Sequence, residues 1–345
     1  MTRALTDSRD VIALDIGGAA IKAADGTGWT HAVPFPMWRS WRSLPAALAE
    51  MIAGRAGQAV VATMTGEIAD CFSDRAAGVA HIVAAVEAAT VDGAPAPRYY
   101  RTDGRLVTAA EALAEPLAVA ASNWHAVARL AAARIGTSQG VVIDIGSTTT
   151  DIVPLAGGRP VPRAFTDADR MALGELVYTG VERTPLPAIV RRLPHGPLLR
   201  PIASERFAES RDAWLMLGAV AEEPASCDTA DGAPFTREAS RVRLARSVLV
   251  EPDTFSWPDA VRAATWVAEA QARQVARGLH RVTRGCGWRP DVIVFSGHGE
   301  PLARRALERL GWRGEEVSLP DVLGRDVSRS APAHALALIA CGELP

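Results

Sequence analysis

Two segments of this chain carry the same turn, Val11-Ile-Ala-Leu-Asp15-Ile-Gly17-Gly18 and Val141-Val-Ile-Asp144-Ile-Gly146-Ser147, and this repeat constrains the fold more than any other feature. In each copy an apolar strand ends on an aspartate, turns through glycine and small residues, and returns as a second apolar stretch. Such a hairpin offers backbone N–H groups and one carboxylate to a phosphate and its counter-ion. Laid over each other, the copies match Lys22 with Asp151, so one hairpin offers a cation where the other offers a second anion. The duplication also runs further. Three short strands over 11–33, with turns at Gly17-Gly18 and Asp25-Gly-Thr-Gly28, return as a strand, the Asp144 turn, a strand through Ile152 and Leu155, and a turn at Gly157-Gly158. Repetition of a whole supersecondary unit predicts two related α/β lobes facing each other.

Composition isolates Lys22. The chain has 37 basic residues, and Lys22 is its only lysine. A compact ammonium is not exchangeable for a planar guanidinium where a phosphate oxygen must be met end-on. A length of 345 residues leaves room for two domains, each with its own core. The formal net charge of −2 gives no general drive toward nucleic acid or anionic lipid, so a nucleic-acid-binding role is excluded and any anion site is local. The first ten residues hold no apolar segment of signal-peptide type, and no run approaches the ~18–20 apolar residues that span a bilayer, so a cytoplasmic, membrane-free protein is expected. Cys71, Cys227, Cys286 and Cys341 are scattered without a Cys-x-x-Cys pair, the pattern of free thiols rather than of a zinc site.

Periodicity predicts helices over 44–53, 70–89 and 123–135 and buried strands at 59–63 and 99–100. After the second hairpin comes a proline-rich excursion over 184–201, expected to run over the surface or the cleft. Helices are expected at 204–222, 237–248 and 258–284, then a strand at 292–295 that ends in Ser296-Gly297-His298-Gly299-Glu300, a helix at 302–310, and a final apolar helix at 332–341 that packs back on the body. The expected division is an N-terminal lobe over 1–137 and a C-terminal lobe over 138–345, the latter carrying the insertion at 184–201 and a helical subdomain at 204–285.

A duplicated strand–Asp–Gly-turn–strand followed by a strand ending in Ser-Gly-His-Gly-Glu resembles the acetate kinase, sugar kinase, Hsp70 and actin superfamily. That resemblance implies a two-lobed actin-like ATPase (ribonuclease H-like) fold, whose two Asp-Gly turns clasp phosphates between the lobes. Leu173-Gly-Glu-Leu-Val-Tyr178-Thr-Gly180-Val-Glu-Arg183-Thr-Pro is similar to its hydantoinase/oxoprolinase branch. Thr63-Met-Thr65-Gly66-Glu67-Ile-Ala-Asp70-Cys-Phe, Ala121-Ser-Asn123-Trp124 and Asp144-Ile-Gly-Ser-Thr-Thr-Thr-Asp151-Ile resemble the methanofuran-biosynthesis synthases over essentially the whole chain. This implies a reaction between an aminomethyl-furanylmethyl diphosphate and the phenol of a tyramine, glutamyl-tyramine or tyrosine derivative, giving an aryl ether and diphosphate. The fold would then work without ATP.

The residues are assigned as follows. Asp15 and Asp144 end their strands where a carboxylate holds Mg²⁺ directly or through water, with Asp151 near the metal and diphosphate. Gly17, Gly18, Gly146, Ser147, Thr148 and Thr149 supply N–H and hydroxyl donors that, with Lys22, cradle a diphosphate. Asp151 and Glu67 are the candidates for taking the phenolic proton, Glu67 lying near the acceptor with Thr65 beside it. Electron donation from the furan lets diphosphate departure run ahead of attack. Asn123 and Trp124 are expected to position the acceptor or the furan, Trp124 either as a flat wall or, at the start of its helix, as a core residue. Tyr178 and Arg183 are expected to close over the cleft, and Gly297 and His298 to contact substrate from the third turn. The competing readings are an ATP-dependent hydantoinase/oxoprolinase-like hydrolase or small-molecule kinase, and a non-enzymatic nucleotide-sensing module. Whether the chain forms a homo-oligomer stays open.

Overall fold

Complete burial of one short strand sets the architecture. The computed structural model describes residues 11–55, 58–90 and 93–344, and the N-terminal stretch expected to lead directly into the first strand lies outside them. Strand β1 (Val11–Ile16) is buried along its whole length, as a strand covered on both faces must be. Its side chains alternate between two cores: Ile12, Leu14 and Ile16 face one, Val11 and Ala13 the other. Around it the first sheet is completed by β2 (Ala20–Ala24), β3 (Thr30–Pro34), β4 (Ala59–Met64), β5 (Arg98–Tyr100) and β6 (Leu106–Val107), in the order β3-β2-β1-β4-β5-β6. β2 runs antiparallel and β4 parallel to β1.

The second half repeats this plan. β7 (Gly140–Ile145) is central, with β8 (Thr150–Ala156) antiparallel on one side. β9 (Arg159–Pro160) and β10 (Leu176–Val177) pair with β8, and a short hairpin of β11 (Arg192–His195) and β12 (Leu198–Pro201) stands apart. β13 (Val292–Gly297) lies parallel to β7, and β14 (Glu315–Ser318) parallel to β13. The sheet order β10-β8-β7-β13-β14 therefore mirrors β3-β2-β1-β4-β5. The molecule has the two-lobed actin-like fold with duplicated β-meander units.

Two alanine-rich helices form the layer between the sheets. Asn123–Ile135 packs on β7, β8 and β13, and the C-terminal Ala331–Ala340 helix packs on β1, β2 and β4. Ala126, Ala128, Ala131, Ala335 and Ala337 lie at this contact, where small side chains let the helices and sheets approach closely. The outer faces are covered by Leu44–Ile52 and Arg75–Ala89 on the first sheet and by Trp257–Cys286 and Glu300–Leu310 on the second.

Three expected elements are shorter or different. The helix expected from 70 begins at Arg75, because Asp74 caps it by accepting from the Ala77 N–H at 2.8 Å. The helix expected over 204–222 is confined to Ser210–Met216, capped by a reciprocal Glu209/Asp212 box and followed by Gly218 at φ +73°. The proline-rich excursion is the short Leu186–Ile189 helix plus the β11–β12 hairpin, and it is not loose: Leu186, Ile189, Val190 and Leu193 enter a fourth core with the helices Arg237–Ser247 and Trp257–Cys286.

The C-terminal helix is thus a structural member of the N-terminal sheet. Replacing the fully buried Leu336 by Ala should lower unfolding free energy by about 2–5 kcal/mol in a urea titration.

Candidate active site

The two hairpins correspond bond for bond. β1 and β2 place Lys22 opposite Asp15, and β7 and β8 place Asp151 opposite Asp144. The Gly17 N–H donates to the Ala20 carbonyl and the Gly146 N–H to that of Thr149, each at 3.0 Å. The correspondence extends to a third strand that the sequence reading did not align. Thr65 and Gly66 both donate to the Ile16 carbonyl at 3.0 Å, and His298 and Gly299 both donate to that of Ile145 at 3.1 Å. Thr63-Met-Thr65-Gly66-Glu67 is therefore the first lobe's copy of Ser296-Gly297-His298-Gly299-Glu300. The shared signal was present: Thr or Ser, two residues, then Gly-Glu.

Lys22 stands between the lobes. Its Nζ lies 3.7 Å from Asp15 Oδ2, and its charge also lowers the pKa of Asp144. Burial nevertheless prevails at both acids. It raises Asp15 above the ordinary carboxylate value despite Lys22 and the Asn123 side chain. At Asp144, burial and then the negative Asp151 push the carboxyl up to about 6, against the Ser296 hydroxyl, Lys22 and His298. Two buried acids short of positive charge suit a site completed by a cation.

Asp15 Oδ1 is buried without a hydrogen-bond partner, as a waiting ligand position would be. Magnesium takes one or two carboxylates plus phosphate oxygens and water, and Asp15 and Asp144 fit that set. Asp151, opposite Asp144, has one oxygen already committed, its Oδ1 accepting from Arg170 Nη1 at 2.8 Å. Among the described residues no three His, Cys, Asp or Glu side chains come together to hold an ion between them. An ion held by Asp15 and Asp144 would supply neutralisation of phosphate charge.

Around this pair Gly17, Gly18, Gly146, Ser147, Thr148 and Thr149 form the two turns, with Ser147 Oγ 3.4 Å from Thr148 Oγ1. The second turn is braced from outside. Val181 N–H donates to the Gly146 carbonyl at 3.2 Å and Arg183 N–H to that of Ser147 at 2.8 Å. A Cβ on Gly180 would lie 2.5 Å from the Ser147 backbone, so only glycine permits this approach. Arg183 places its guanidinium 4.9 Å from the Trp38 ring centroid in the other lobe, while the Tyr178 side chain is exposed. Gly297, at φ +76°, sits where a Cβ would strike the Ile145 carbonyl and Asp144 Oδ1. His298 Nε2 is 3.1 Å from Glu182 Oε1. Burial pushes Glu182 up, but the His298 hydrogen bond and charge hold it below the ordinary glutamate value.

Arg170 was not singled out by sequence, because one arginine among dozens carries no signal. It is 1% exposed, bonds Asp151 and the Glu175 carbonyl, and stacks 3.8 Å over Trp124. Trp124 is accordingly a residue of the central core with a covered face, not an open wall for substrate. Asn123 beside it does reach the site, at Asp15.

Glu67 differs from every other acid among the described residues. It is 1% exposed, neither carboxylate oxygen has a well-formed hydrogen bond, and burial pushes it up to about 7. Arg75 comes only to 4.0 Å, its guanidinium being bonded to Asp167 of the other lobe. Ala121, held at φ +46° in a region unusual for a residue with a Cβ, turns its N–H toward this carboxylate. Glu67 lines a cavity of about 340 Å³ formed by the loop 67–75. Its counterpart Glu300 is spent on structure, accepting from Arg304 at 2.8 Å and Ser318 at 2.9 Å.

A profile of the hydantoinase/oxoprolinase family matches residues 58–340. The chain belongs to this family. Among its relatives, a Methanocaldococcus jannaschii protein named (4-{4-[2-(gamma-L-glutamylamino)ethyl]phenoxymethyl}furan-2-yl)methanamine synthase is 30% identical over 331 residues, 95% of this chain and 96% of that one. A Methanococcus vannielii protein of the same name is 29% identical over 206 residues, 59% of this chain and 91% of its own. Among solved structures, an inorganic polyphosphate/ATP-glucomannokinase from Arthrobacter sp. strain KM aligns over 96% of this chain and 98% of that one, at 16% identity and a TM-score of 0.43. No helix of the described residues is long and apolar enough to cross a membrane.

Glu67 should make this hydantoinase/oxoprolinase-family chain less stable as pH rises. Its folded pKa is raised, so the unfolded chain ionises first. The cost appears above pH ~4.5 and levels off above about 7. Glu67→Gln should therefore match wild type in thermal unfolding at pH 4 and exceed it at pH 8, by on the order of 3 kcal/mol.

Proposed function

We propose that the protein is a transferase of methanofuran-type cofactor biosynthesis. It joins an aminomethyl-furanylmethyl diphosphate to the phenol oxygen of a tyramine, glutamyl-tyramine or tyrosine derivative. The phenol oxygen forms a bond to the exocyclic carbon, the bond from that carbon to the diphosphate breaks, and the electron pair leaves with diphosphate. The phenolic proton passes to Glu67. The relatives' name supports the outcome, since it describes a phenoxymethyl group on a furan.

The observation that carries the reading is the unpartnered Glu67. A buried carboxylate with a pKa of about 7 is half ionised at neutral pH, and its basicity is close to the operating pH, where general-base catalysis is most effective. A phenol with a pKa near ~10 becomes acidic enough for this acceptor as its oxygen bonds to the electron-poor carbon. Departing charge gathers on the diphosphate, opposite Lys22 and the N–H groups of the two turns. Fixed donors aimed at developing charge need no reorganisation as the bond breaks.

Diphosphate release and ether formation, measured with a furanylmethyl diphosphate and each phenolic amine, test the assignment. Glu67→Gln should lower turnover about 10²–10⁴-fold and abolish a rise in kcat/KM through about pH 7. Lys22→Ala should cost about 10²–10³-fold with no change in that pH dependence. Brisk ATP hydrolysis without diphosphate release from the furan donor would overturn the reading in favour of an ATP-dependent hydrolase.

A further inference from the structure

On the outer layer of the second lobe, away from both hairpins, the Trp257–Cys286 helix and the end of the Glu300–Leu310 helix enclose a groove of about 450 Å³. Arg273, Arg277, His280 and Arg281 line it from the first helix, Arg309 and Leu310 from the second. No acidic residue lines it. The inner face of the same helix packs on the sheet through Ala268, Ala272, Val275 and Leu279, so the groove and the cleft lie on different sides of that layer.

The three arginines that the first helix gives the groove are treated differently from the arginines around them. Arg304, Arg305 and the groove's own Arg309 on the second helix each pair with a glutamate, and Arg262 near the start of the first pairs with Asp259. Among the described residues no carboxylate pairs with Arg273, Arg277 or Arg281. They recur every fourth residue, so they project from one face at steps of ~6 Å along the axis, and like charges at this spacing repel. In a chain of net charge −2, a row of mutually repelling guanidiniums along a concave surface is a local anion trap rather than part of a general basic field.

We propose that this groove binds a small polyanion carrying a chain of at least two phosphates. The volume falls in the range of small-molecule sites, about 300–1,000 Å³, too small for a protein surface to enter. Guanidiniums meet phosphate oxygens two at a time, and successive arginines of the row can engage successive phosphates where a single phosphate reaches one or two. The exposed Leu310 gives the groove one apolar wall, against which an organic group attached to the chain can rest. The helix that bears the row also holds the second hairpin from within. Gln271, two residues before Arg273, donates to Thr179 Oγ1 at 2.9 Å and to the Gly180 carbonyl at 2.7 Å, and Gly180 rests on Ser147. The arginine row and the residue that anchors the second turn are thus carried by one helix. The proposal does not depend on the reaction assigned to the cleft.

Calorimetric titration of the full chain with inorganic triphosphate and with inorganic monophosphate, without divalent metal, tests it. The proteins compared are wild type, Arg277→Glu/Arg281→Glu and Lys22→Ala. Triphosphate is expected to bind one site with at least tenfold preference over monophosphate, to weaken with added salt, to bind Lys22→Ala as it binds wild type, and to lose at least tenfold in affinity in the double variant. Both arginines of that variant are exposed, and its circular dichroism and thermal unfolding confirm that it is folded. Triphosphate binding lost in Lys22→Ala but kept in the double variant would place the anion in the cleft and overturn the proposal. Equal affinity for mono- and triphosphate, or no binding to wild type, would overturn it as well.

Discussion

Carboxylates buried around a single ammonium govern the rest of this structure. Asp15 and Asp144 stand near the ends of the central strands of their lobes, where burial makes each costly to ionise, and among the described residues Lys22 is the cation whose charge lowers both. The second hairpin has an acid where the first has Lys22, and needs Arg170 to balance it. Arg170 in turn fixes Trp124 and so the start of the central helix that presents Asn123 to Asp15. The charge balance of the cleft and the packing of the two lobes are therefore one problem. A change in either hairpin's cation would be felt in the central layer.

Duplication gave the protein two copies of each part and then let them diverge. Glu67 and Glu300 follow equivalent strands by equivalent turns. One is tied to Arg304 and Ser318 at the start of a helix. The other has no well-formed hydrogen bond, beside a strained Ala121, with its nearest guanidinium turned to Asp167. Local strain and unsatisfied polar atoms concentrate where chemistry is done. The pairing Arg75–Asp167 also ties the loop that carries Glu67 to the opposite lobe.

The repeat, the central strands and the helix over 123–135 were legible because continuous apolar runs, aspartate–glycine turns and the solitary lysine are local signals. The correspondence of Glu67 with Glu300 was legible only in part. The Gly-Glu ending is short, and the copies differ at most intervening positions. Trp124 stayed open in the sequence because aromatic residues serve cores and binding walls alike, and the position of Arg170 over its ring decides for the core. Arg170, Arg75 and Glu182 act through partners distant in sequence, so no spacing announces them. The helix starts at Arg75 and Ser210 were set by capping side chains, which a hydrophobic period cannot see.

The Ala331–Ala340 helix closes the N-terminal sheet although it follows the whole of the second sheet in the chain. A ribosome releasing this chain emits β1, β2 and β4 first, with one whole face of that sheet lacking its cover. That face, made of Val11, Ala13, Ala59 and Val61, stays without this cover until the helix has been made. Its residues are small, so the bare surface is shallow and offers weak purchase for wrong partners. Closure of the first sheet is in this way tied to the arrival of a helix that follows the whole of the second sheet in the chain.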